Sequence, residues 1–235
     1  MKKLSRSLVQ FGKRQISPKL SSLLSVLWMG GLAISGLALW GFAEIAEEVF
    51  EQETKAIDTS ILQTFQTFHT PLIDQIAIAV TFLGEPFVLI ILSCTLAFIS
   101  LWQRKWAEAS VFAIVVAGGI SLNFWLKTLF ARARPALWEH IVDVRNYSFP
   151  SGHAMVSLIV YGFIGYWLII RYPSAQKPIL TATVLLVVAI GLSRLYLGVH
   201  WPTDVVAGYA AGLVWLFICI LILEVLSKEP STDDY

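Results

Sequence analysis

The sequence predicts an all-α integral membrane protein, a bundle of about six transmembrane helices with both termini in the cytoplasm. Its composition is the first observation. Hydrophobic residues make up 57% of the 235 residues and charged residues 14%, with a mean hydropathy of +0.71. A soluble domain averages about 45–50% apolar and about 25% charged residues. The second observation is six stretches that are long and apolar enough to cross a bilayer.

These apolar stretches lie at about 23–43, 76–102, 106–126, 154–171, 178–198 and 204–226. Gly84-Glu85-Pro86 interrupts the second stretch, so Leu72–Leu83 is predicted to be an interfacial or re-entrant piece ahead of a span that begins at Pro86. The spans form one transmembrane domain, residues 23–226. A basic segment, residues 1–22, precedes it and a short tail, residues 227–235, follows it.

Apolar residues at helical spacing occur between the first two spans, in the segment Glu44–Gln75. They are Ile57, Ile61, Leu62, Phe65 and Phe68. The spacing predicts an amphipathic helix. Such a helix either lies on the membrane surface or packs on neighbouring spans, and its period is the same in both cases.

The charge and the cysteines exclude several classes. The formal net charge is +1, and no basic run is typical of a nucleic-acid patch, so no nucleic-acid partner is expected. Cys94 and Cys219 both lie in apolar runs. We expect them to be buried packing residues rather than a disulfide or a metal pair.

The distribution of Lys and Arg predicts the orientation. With the N-terminus in the cytoplasm, the cytoplasmic segments hold 11 of the 17 basic residues, six of them within residues 1–22 and the others at Arg104, Lys105, Arg171, Lys177 and Lys228. Cytoplasmic loops carry the basic excess in membrane proteins, so this orientation is favoured. The segments 127–153 and 194–204 then both face the extracytoplasmic side.

The first group of reactive residue types is KTLFARARP, Lys127–Pro135. Lys127 closes an apolar run, and Arg134 follows seven residues later, directly before Pro135. Taken alone, Lys127 is typical of an interfacial anchor, and Arg132 with Arg134 is typical of an ordinary interfacial pair.

The second group is PSGH, Pro150–His153, at the start of an apolar run. Ser151 is a favoured N-cap residue, and the first backbone N–H groups of a helix have no partner within the helix. Gly152 leaves this backbone approachable, so the turn predicts an anion site. His153 would stand beside the anion and could give or take a proton. The alternative is a plain N-cap with an interfacial histidine.

The third group is SRLYLGVHWPTD, Ser193–Asp204. Arg194 ends one span, and Pro202 suits the first turn of the next helix. Asp204 follows His200 by four residues, one helical turn. A carboxylate on one imidazole nitrogen fixes the tautomer and makes the other nitrogen a better nucleophile. The alternative is a structural His–Asp pair.

Together the three groups favour phosphoryl chemistry. Three cations and a helix N-terminus fit the three charged oxygens of a phosphoryl group, with one histidine to attack and one to protonate the leaving oxygen. No carboxylate cluster suits Mg²⁺ and no Cys/His set suits Zn²⁺, so neither a metal nor a cofactor is expected. The cations take the place of the metal.

The three groups in this order, Lys-x6-Arg-Pro, Pro-Ser-Gly-His and Ser-Arg-x5-His-x3-Asp, resemble the tripartite signature of the type 2 phosphatidic acid phosphatase superfamily. This superfamily includes lipid phosphate phosphatases, bacterial phosphatidylglycerophosphate and undecaprenyl pyrophosphate phosphatases, and vanadium haloperoxidases. The signature covers Lys127–Asp204, about a third of the chain. The six-span pattern is similar to that of the membrane branch.

The resemblance implies a role for each position. His200 would be the nucleophile that forms a phosphohistidine, Asp204 would orient it, and His153 would be the general acid. The phosphate oxygens would be held by Lys127, Arg134, Ser151, Gly152 and Arg194.

The expected function is hydrolysis of a lipid phosphomonoester or pyrophosphate, such as phosphatidic acid, phosphatidylglycerophosphate or a polyprenyl pyrophosphate. The enzyme would be metal-independent and multi-pass, in a bacterial-type cell membrane, with an extracytoplasmic active site. One alternative is a vanadate-dependent haloperoxidase, although six spans and no accessory feature of a peroxidase argue against it. The other is a non-catalytic phospholipid-binding or transport protein. The His200–Asp204 pair favours the enzyme, because an anion site needs only cations and N–H groups.

Overall fold

The computed structural model describes residues 18–139, 142 and 146–226, with side chains from residue 29 onward. This part of the chain is all-helical. The helices in chain order are α1 Pro18–Phe50, α2 Lys55–Gln66, α3 Pro71–Phe82, α4 Pro86–Trp102, α5 Trp106–Phe130, α6 Gly152–Arg171, α7 Gln176–Tyr196 and α8 Pro202–Leu226, with a 3-10 turn at Pro173–Ala175. Residues 1–17 of the predicted basic segment, and the predicted tail 227–235, lie outside the described residues.

The predicted membrane bundle of about six spans is confirmed. Five of the helical segments are long and apolar enough to cross a bilayer, and the number is six if α3 and α4, which are bent by 43° at their junction, count as one span. The bend falls at Gly84-Glu85-Pro86, where the sequence predicted a break, because Pro86 has no N–H to continue the hydrogen bonding of α3. The first span continues to Phe50 rather than ending near residue 43, and α5 continues to Phe130.

The core lies where α6 packs between its neighbours. α6 contacts α5, α7 and α8 over much of their lengths, and α1 packs along α8. Fully buried side chains such as Phe112, Met155, Ile159, Phe163 and Cys219 fill the space between α5, α6 and α8. Large apolar side chains on the outer faces remain exposed, as expected for helices whose surroundings are lipid.

The segment Glu44–Gln75 contains the end of α1, the short helix α2 and the start of α3. One face of α2 packs on the bundle, because Leu62 is fully buried in a cluster with Trp201 and Val205. Ile57 and Phe68 are exposed. The helix is therefore amphipathic, and the buried face of α2 contacts α7 and α8.

The prediction for the cysteines is half wrong. Both are free thiols, but Cys94 is exposed and only Cys219 is buried. Cys94 lies on a face of α4 that points away from the bundle. In a membrane protein the outer faces are as apolar as the core, so an apolar run does not distinguish the two sides of a helix.

The start of α6 packs closely on α8 at Gly208. A Cβ atom built on Gly208 would lie 2.8 Å from the carbonyl oxygen of Ser151 and 3.3 Å from Cβ of Ala154. Backbone atoms cannot yield as a flexible side chain can. A side chain at position 208 would therefore push the start of α6 away from α8.

We expect Gly208→Ala to lower the stability of the bundle by about 1–3 kcal/mol, the usual range for overpacking. Gly36→Ala in α1 is the matched control, since a Cβ atom there meets nothing within 4 Å. Replacing a helical glycine in open space should be neutral or stabilising by up to about 1 kcal/mol. The measurement is thermal unfolding of both variants in the same detergent, and equal midpoints would contradict the packing argument.

Candidate active site

One cavity of about 310 Å³ brings the three sequence groups together. It lies between the end of α5, the first turn of α6, the end of α7 and the loop that leads into α8. Of the eight predicted site residues, six line the cavity, and Ser151 and Asp204 lie directly behind its wall. The polar lining consists of Glu85, Asn123, Lys127, Arg134, Asn146, His153, Arg194 and His200.

The N-terminal turn of α6 is fixed by Ser151. Its side chain is the N-cap and accepts a hydrogen bond from the N–H of Ala154. Its own N–H donates to the main-chain oxygen of Asp204 at 2.9 Å. The turn of α6 that bears the free N–H groups is thereby seated on the first turn of α8.

Gly152 begins α6 and packs against the side chain of Asn123. A Cβ atom at position 152 would lie 2.8 Å from Asn123 Oδ1. The amide of Asn123 in turn donates to the main-chain oxygen of Pro150 at 3.3 Å. Asn123 therefore supports the turn from the side of α5, and only glycine leaves room for it.

His200 lies between a carboxylate and a guanidinium. Its Nδ1 is 3.2 Å from Asp204 Oδ2, and its Nε2 is 3.3 Å from the Nη1 atom of Arg134. A guanidinium can only donate, so Nε2 is the acceptor and the ring hydrogen is on Nδ1, where it donates to Asp204. The lone pair of Nε2 thus points to Arg134, which lines the cavity together with His200.

The protonation of His200 follows from its surroundings. Burial first, and then the charges of Lys127, Arg134 and Arg194, hold the pKa of His200 well below its ordinary value of 6.5. Both causes disfavour an additional positive charge. The imidazole is therefore neutral at physiological pH, as a nucleophile must be.

The three cations are held in place by oxygen atoms of the protein. Lys127 donates to the main-chain oxygen of Tyr147, and Arg134 donates to that of Val199 at 2.7 Å. Arg194 is buried and donates to the hydroxyl of Thr81 at 2.6 Å. The Nε atom of Arg194 is also buried and has no hydrogen-bond acceptor within the described residues. An anion in the cavity would supply one.

His153 contacts a carboxylate that lies outside the three groups. Its Nε2 is 3.3 Å from Glu85 Oε1, which belongs to the break between α3 and α4. A carboxylate can accept a hydrogen bond from the imidazole and fix the orientation of the ring. The side chain of Glu85 is 38% exposed and lines the cavity with His153.

Sequence reasoning did not identify Glu85, Asn123, Asn146 or Thr81 as parts of the site. For Glu85 a signal was present, because an ionisable residue inside an apolar span is a functional candidate by default. The same applies to the amide of Asn123 in α5. Thr81 and Asn146 are residue types that occur in any helix or turn, and their sequence gives no such signal.

One wall of the cavity is apolar. Pro86 of α4, Ile120 and Phe124 of α5, and Val156 of α6 form it. Phe124 is 62% exposed on the outer face of α5. The cavity therefore joins a cationic end to an apolar surface that faces the membrane side of the bundle.

The donor set does not form a metal site. Among residues 29–139, 142 and 146–226, no three His, Cys, Asp or Glu side chains are placed so that they could hold one metal ion. The charge in the cavity comes from Lys and Arg side chains. These residues fit an anion.

Comparison with known proteins places this geometry in a family. Residues 106–227, about half of the chain, match the family model of the PAP2 superfamily. The match begins with α5 and includes all three groups that line the cavity. It does not include α1 to α4.

Several curated proteins share sequence with this chain, among them one from Bacillus subtilis and one from Sulfolobus acidocaldarius. Phosphatidylglycerophosphatase B of Bacillus subtilis is 28% identical over 180 residues, which cover 75% of this chain and 88% of the relative. The undecaprenyl-diphosphatase of Sulfolobus acidocaldarius is 34% identical over 132 residues, which cover 54% of this chain and 58% of the relative.

A solved structure is similar over most of the chain. It is the crystal structure of a transmembrane PAP2 type phosphatidylglycerolphosphate phosphatase from Bacillus subtilis, with a TM-score of 0.74 and 26% sequence identity. The similarity covers 84% of this chain and 98% of that protein. It therefore extends beyond the family match to the helices that precede α5.

Proposed function

The chain belongs to the PAP2 superfamily, and from this premise we propose that it is a lipid phosphatase that hydrolyses a phosphomonoester or a pyrophosphate through a phosphohistidine on His200. One observation carries the proposal. The unprotonated Nε2 of His200 faces a cavity that Lys127, Arg134 and Arg194 also line, while its Nδ1 is bound to Asp204. A nucleophile and the charges for a phosphoryl group thus meet at one place.

Binding of the substrate phosphate would use the cations and the start of α6. A phosphoryl group has three equatorial oxygens, and three side chains with fixed N–H groups can each bind one. The N-terminal turn at Gly152 adds backbone N–H groups and the positive end of the helix dipole. These donors are in position before the substrate arrives, so little reorganisation is needed in the transition state.

In the first half of the reaction, Nε2 of His200 attacks phosphorus. The N–P bond forms as the bond to the leaving oxygen breaks, and His153 gives its proton to that oxygen. Asp204 stabilises the positive charge that develops on the imidazole of His200. In the second half, His153 takes a proton from water, the water oxygen attacks phosphorus, and the N–P bond breaks to release inorganic phosphate.

The apolar wall supports a lipid as the substrate. A lipid phosphate has a charged head and a chain that stays in the bilayer, and the cavity has a cationic end and an apolar side at Ile120 and Phe124. A substrate anchored in the membrane would reach the cavity already oriented. The named activities of the relatives on phosphatidylglycerophosphate and undecaprenyl diphosphate support the same class.

The distribution of Lys and Arg among the loops supports an active site on the extracytoplasmic side of a bacterial-type cell membrane. In this arrangement the cavity opens at the outer surface, and the connections after α4 and α6 lie in the cytoplasm.

The direct test is release of inorganic phosphate from lipid phosphates by the purified protein in detergent with excess EDTA. The wild-type protein should release phosphate in the presence of EDTA, because Lys and Arg side chains supply the positive charge that a metal would otherwise provide. His200→Ala should reduce turnover by more than about 1,000-fold, since the nucleophile is lost. Complete loss of wild-type activity on chelation, restored by Mg²⁺, would contradict the metal-independent mechanism.

The division of labour between the histidines predicts a dependence on the leaving group. An alkoxide needs a proton to depart, while an aryl oxide needs it less. His153→Ala should therefore lose about 10²–10⁴-fold on an alkyl phosphate and much less on an aryl phosphate. His200→Ala should lose activity on both.

The measurement is a rate series over leaving groups of different pKa for wild type and the two variants. A steeper dependence in His153→Ala than in wild type is required. Equal slopes would mean that His153 is not the proton donor. Higher residual turnover in His200→Ala than in His153→Ala would mean that the two roles are reversed.

Orientation is tested by single cysteines in a background with Cys94→Ser and Cys219→Ala. A cysteine at Glu139, an exposed position in the loop after α5, should react with an impermeant thiol reagent in intact cells. A cysteine at Gln103, at the end of α4, should react only after the cells are opened. The reverse pattern would place the cavity on the cytoplasmic side.

A further inference from the structure

A cluster of charged residues behind His200 connects the active site to α2. Its members are Asp58 of α2, Arg132 of the loop after α5, and Asp204 of α8. On the basis of the proposed function, we propose that Arg132, held by Asp58, is a positioning residue that fixes the carboxylate of Asp204 and thereby the nucleophile His200. Asp58 lies before the region that matches the family model.

Arg132 bridges the two carboxylates. Its Nη1 donates to Asp204 Oδ1 at 2.6 Å, and its Nη2 donates to Asp58 Oδ2 at 2.8 Å. Both aspartates are fully buried. The guanidinium lies between them as the counter-charge that offsets their burial.

Asp58 fixes the guanidinium and also the start of α8. Its Oδ1 accepts from the N–H of Thr203 at 3.1 Å, and its Oδ2 accepts from the hydroxyl of Thr203 at 2.7 Å. That hydroxyl oxygen accepts in turn from Nη1 of Arg132 at 2.8 Å. The hydroxyl of Thr54, directly before α2, accepts from Nη2 at 3.1 Å. The guanidinium therefore cannot rotate without breaking several bonds.

The two carboxylate oxygens of Asp204 have different partners, and this is how the cluster affects catalysis. Oδ1 is occupied by Arg132, and Oδ2 accepts from Nδ1 of His200 and from the N–H of Trp201 at 2.9 Å. With one oxygen fixed, the other can only face His200. Loss of Arg132 would free the carboxylate to turn, and the tautomer of His200 would no longer be held.

If Asp58 and Arg132 only attach α2 to the bundle, removing either one should move the acidic limb of kcat/KM against pH in the same direction or not at all. If they act on His200 through their charges, the two substitutions should move this limb in opposite directions. Removing the cation of Arg132 raises the pKa of His200, and removing the anion of Asp58 lowers it. The other charged or titratable groups that face His200 are Lys127, Arg134, His153, Arg194 and Asp204, and none of them is changed.

The test compares Arg132→Gln and Asp58→Asn with wild type on one aryl phosphate. We expect kcat/KM to fall roughly tenfold to hundredfold in both, the usual cost of losing a group that orients a catalytic side chain. The acidic limb of kcat/KM against pH should move up by about half a pH unit or more in Arg132→Gln and down in Asp58→Asn. Inhibition by inorganic phosphate should stay within about threefold of wild type, because the cations of the cavity are intact.

Arg132→Lys is the conservative variant. It keeps the charge but cannot bridge two carboxylates. The acidic limb of kcat/KM against pH should therefore lie at the same pH as in wild type. The value of kcat/KM should lie between those of wild type and Arg132→Gln.

Two matched controls make the same chemical changes elsewhere. Arg171→Gln removes a guanidinium at the far end of α6, where Arg171 contacts Gln103 and Glu108. Asp74→Asn removes a carboxylate of α3 that accepts from the hydroxyl of Tyr196. Both controls should keep the wild-type pH limb, whatever their effect on thermal unfolding.

Shifts of the limb in the same direction, or no shift in either variant, would overturn the inference while wild type remains active. So would losses of kcat/KM that follow the loss of thermal stability across the three variants and the two controls. An inactive wild type would contradict the proposed function itself. If one of the variants does not fold, Arg132→Lys takes its place. An acidic limb at the wild-type pH together with a reduced kcat/KM then tests the bridge between Asp58 and Asp204.

Discussion

The hydrogen bond from the N–H of Ser151 to the main-chain oxygen of Asp204 is the contact on which the rest of the site depends. Asp204 uses its backbone to seat the start of α6 and its side chain to hold His200. One residue thereby fixes the distance between the anion-binding turn and the nucleophile. The close approach at Gly208 allows this bond to form. Without this hydrogen bond, the buried N–H of Ser151 would lose its partner.

The positions of the charges explain how a polar site exists in an apolar bundle. Lys127 and Arg194 lie in the last turns of α5 and α7, and Ser151 caps α6. Cations are favoured at helix C-termini and anion-binding N–H groups occur at N-termini. The apolar length of each helix stays in the lipid, and the chemistry is confined to the helix ends. This is why the site consists of helix ends and the loops that join them, rather than of the middle parts of the spans.

The sequence predicted what is local. The cap at Ser151, the start of α8 at Pro202 and the pairing of His200 with Asp204 each involve residues at most four positions apart. Hydropathy predicted the spans for the same reason, since each is a continuous stretch. The resemblance added the convergence of the three groups on one phosphate, which no local pattern contains.

Contacts between distant helices could not be predicted in this way. Glu85 meets His153 across 68 positions, Asp58 meets Arg132 across 74, and Thr81 meets Arg194 across 113. Each of these residues has an ordinary local interpretation, as a helix break or a polar position on a short helix. Hydropathy also does not report which face of a helix points inward, and for that reason the prediction for Cys94 was wrong.

The partners of the cations separate those that bind substrate from those that build the framework. In the described part of the chain, Lys127 and Arg194 donate to carbonyl and hydroxyl oxygens, which hold a side chain without cancelling its charge. Arg132 donates to two carboxylates, which neutralise it. A cation on neutral acceptors keeps its attraction for a phosphate, and a cation between carboxylates does not. Arg132 follows Lys127 by only five positions in the sequence, yet the contacts assign it to the support of the nucleophile rather than to the substrate.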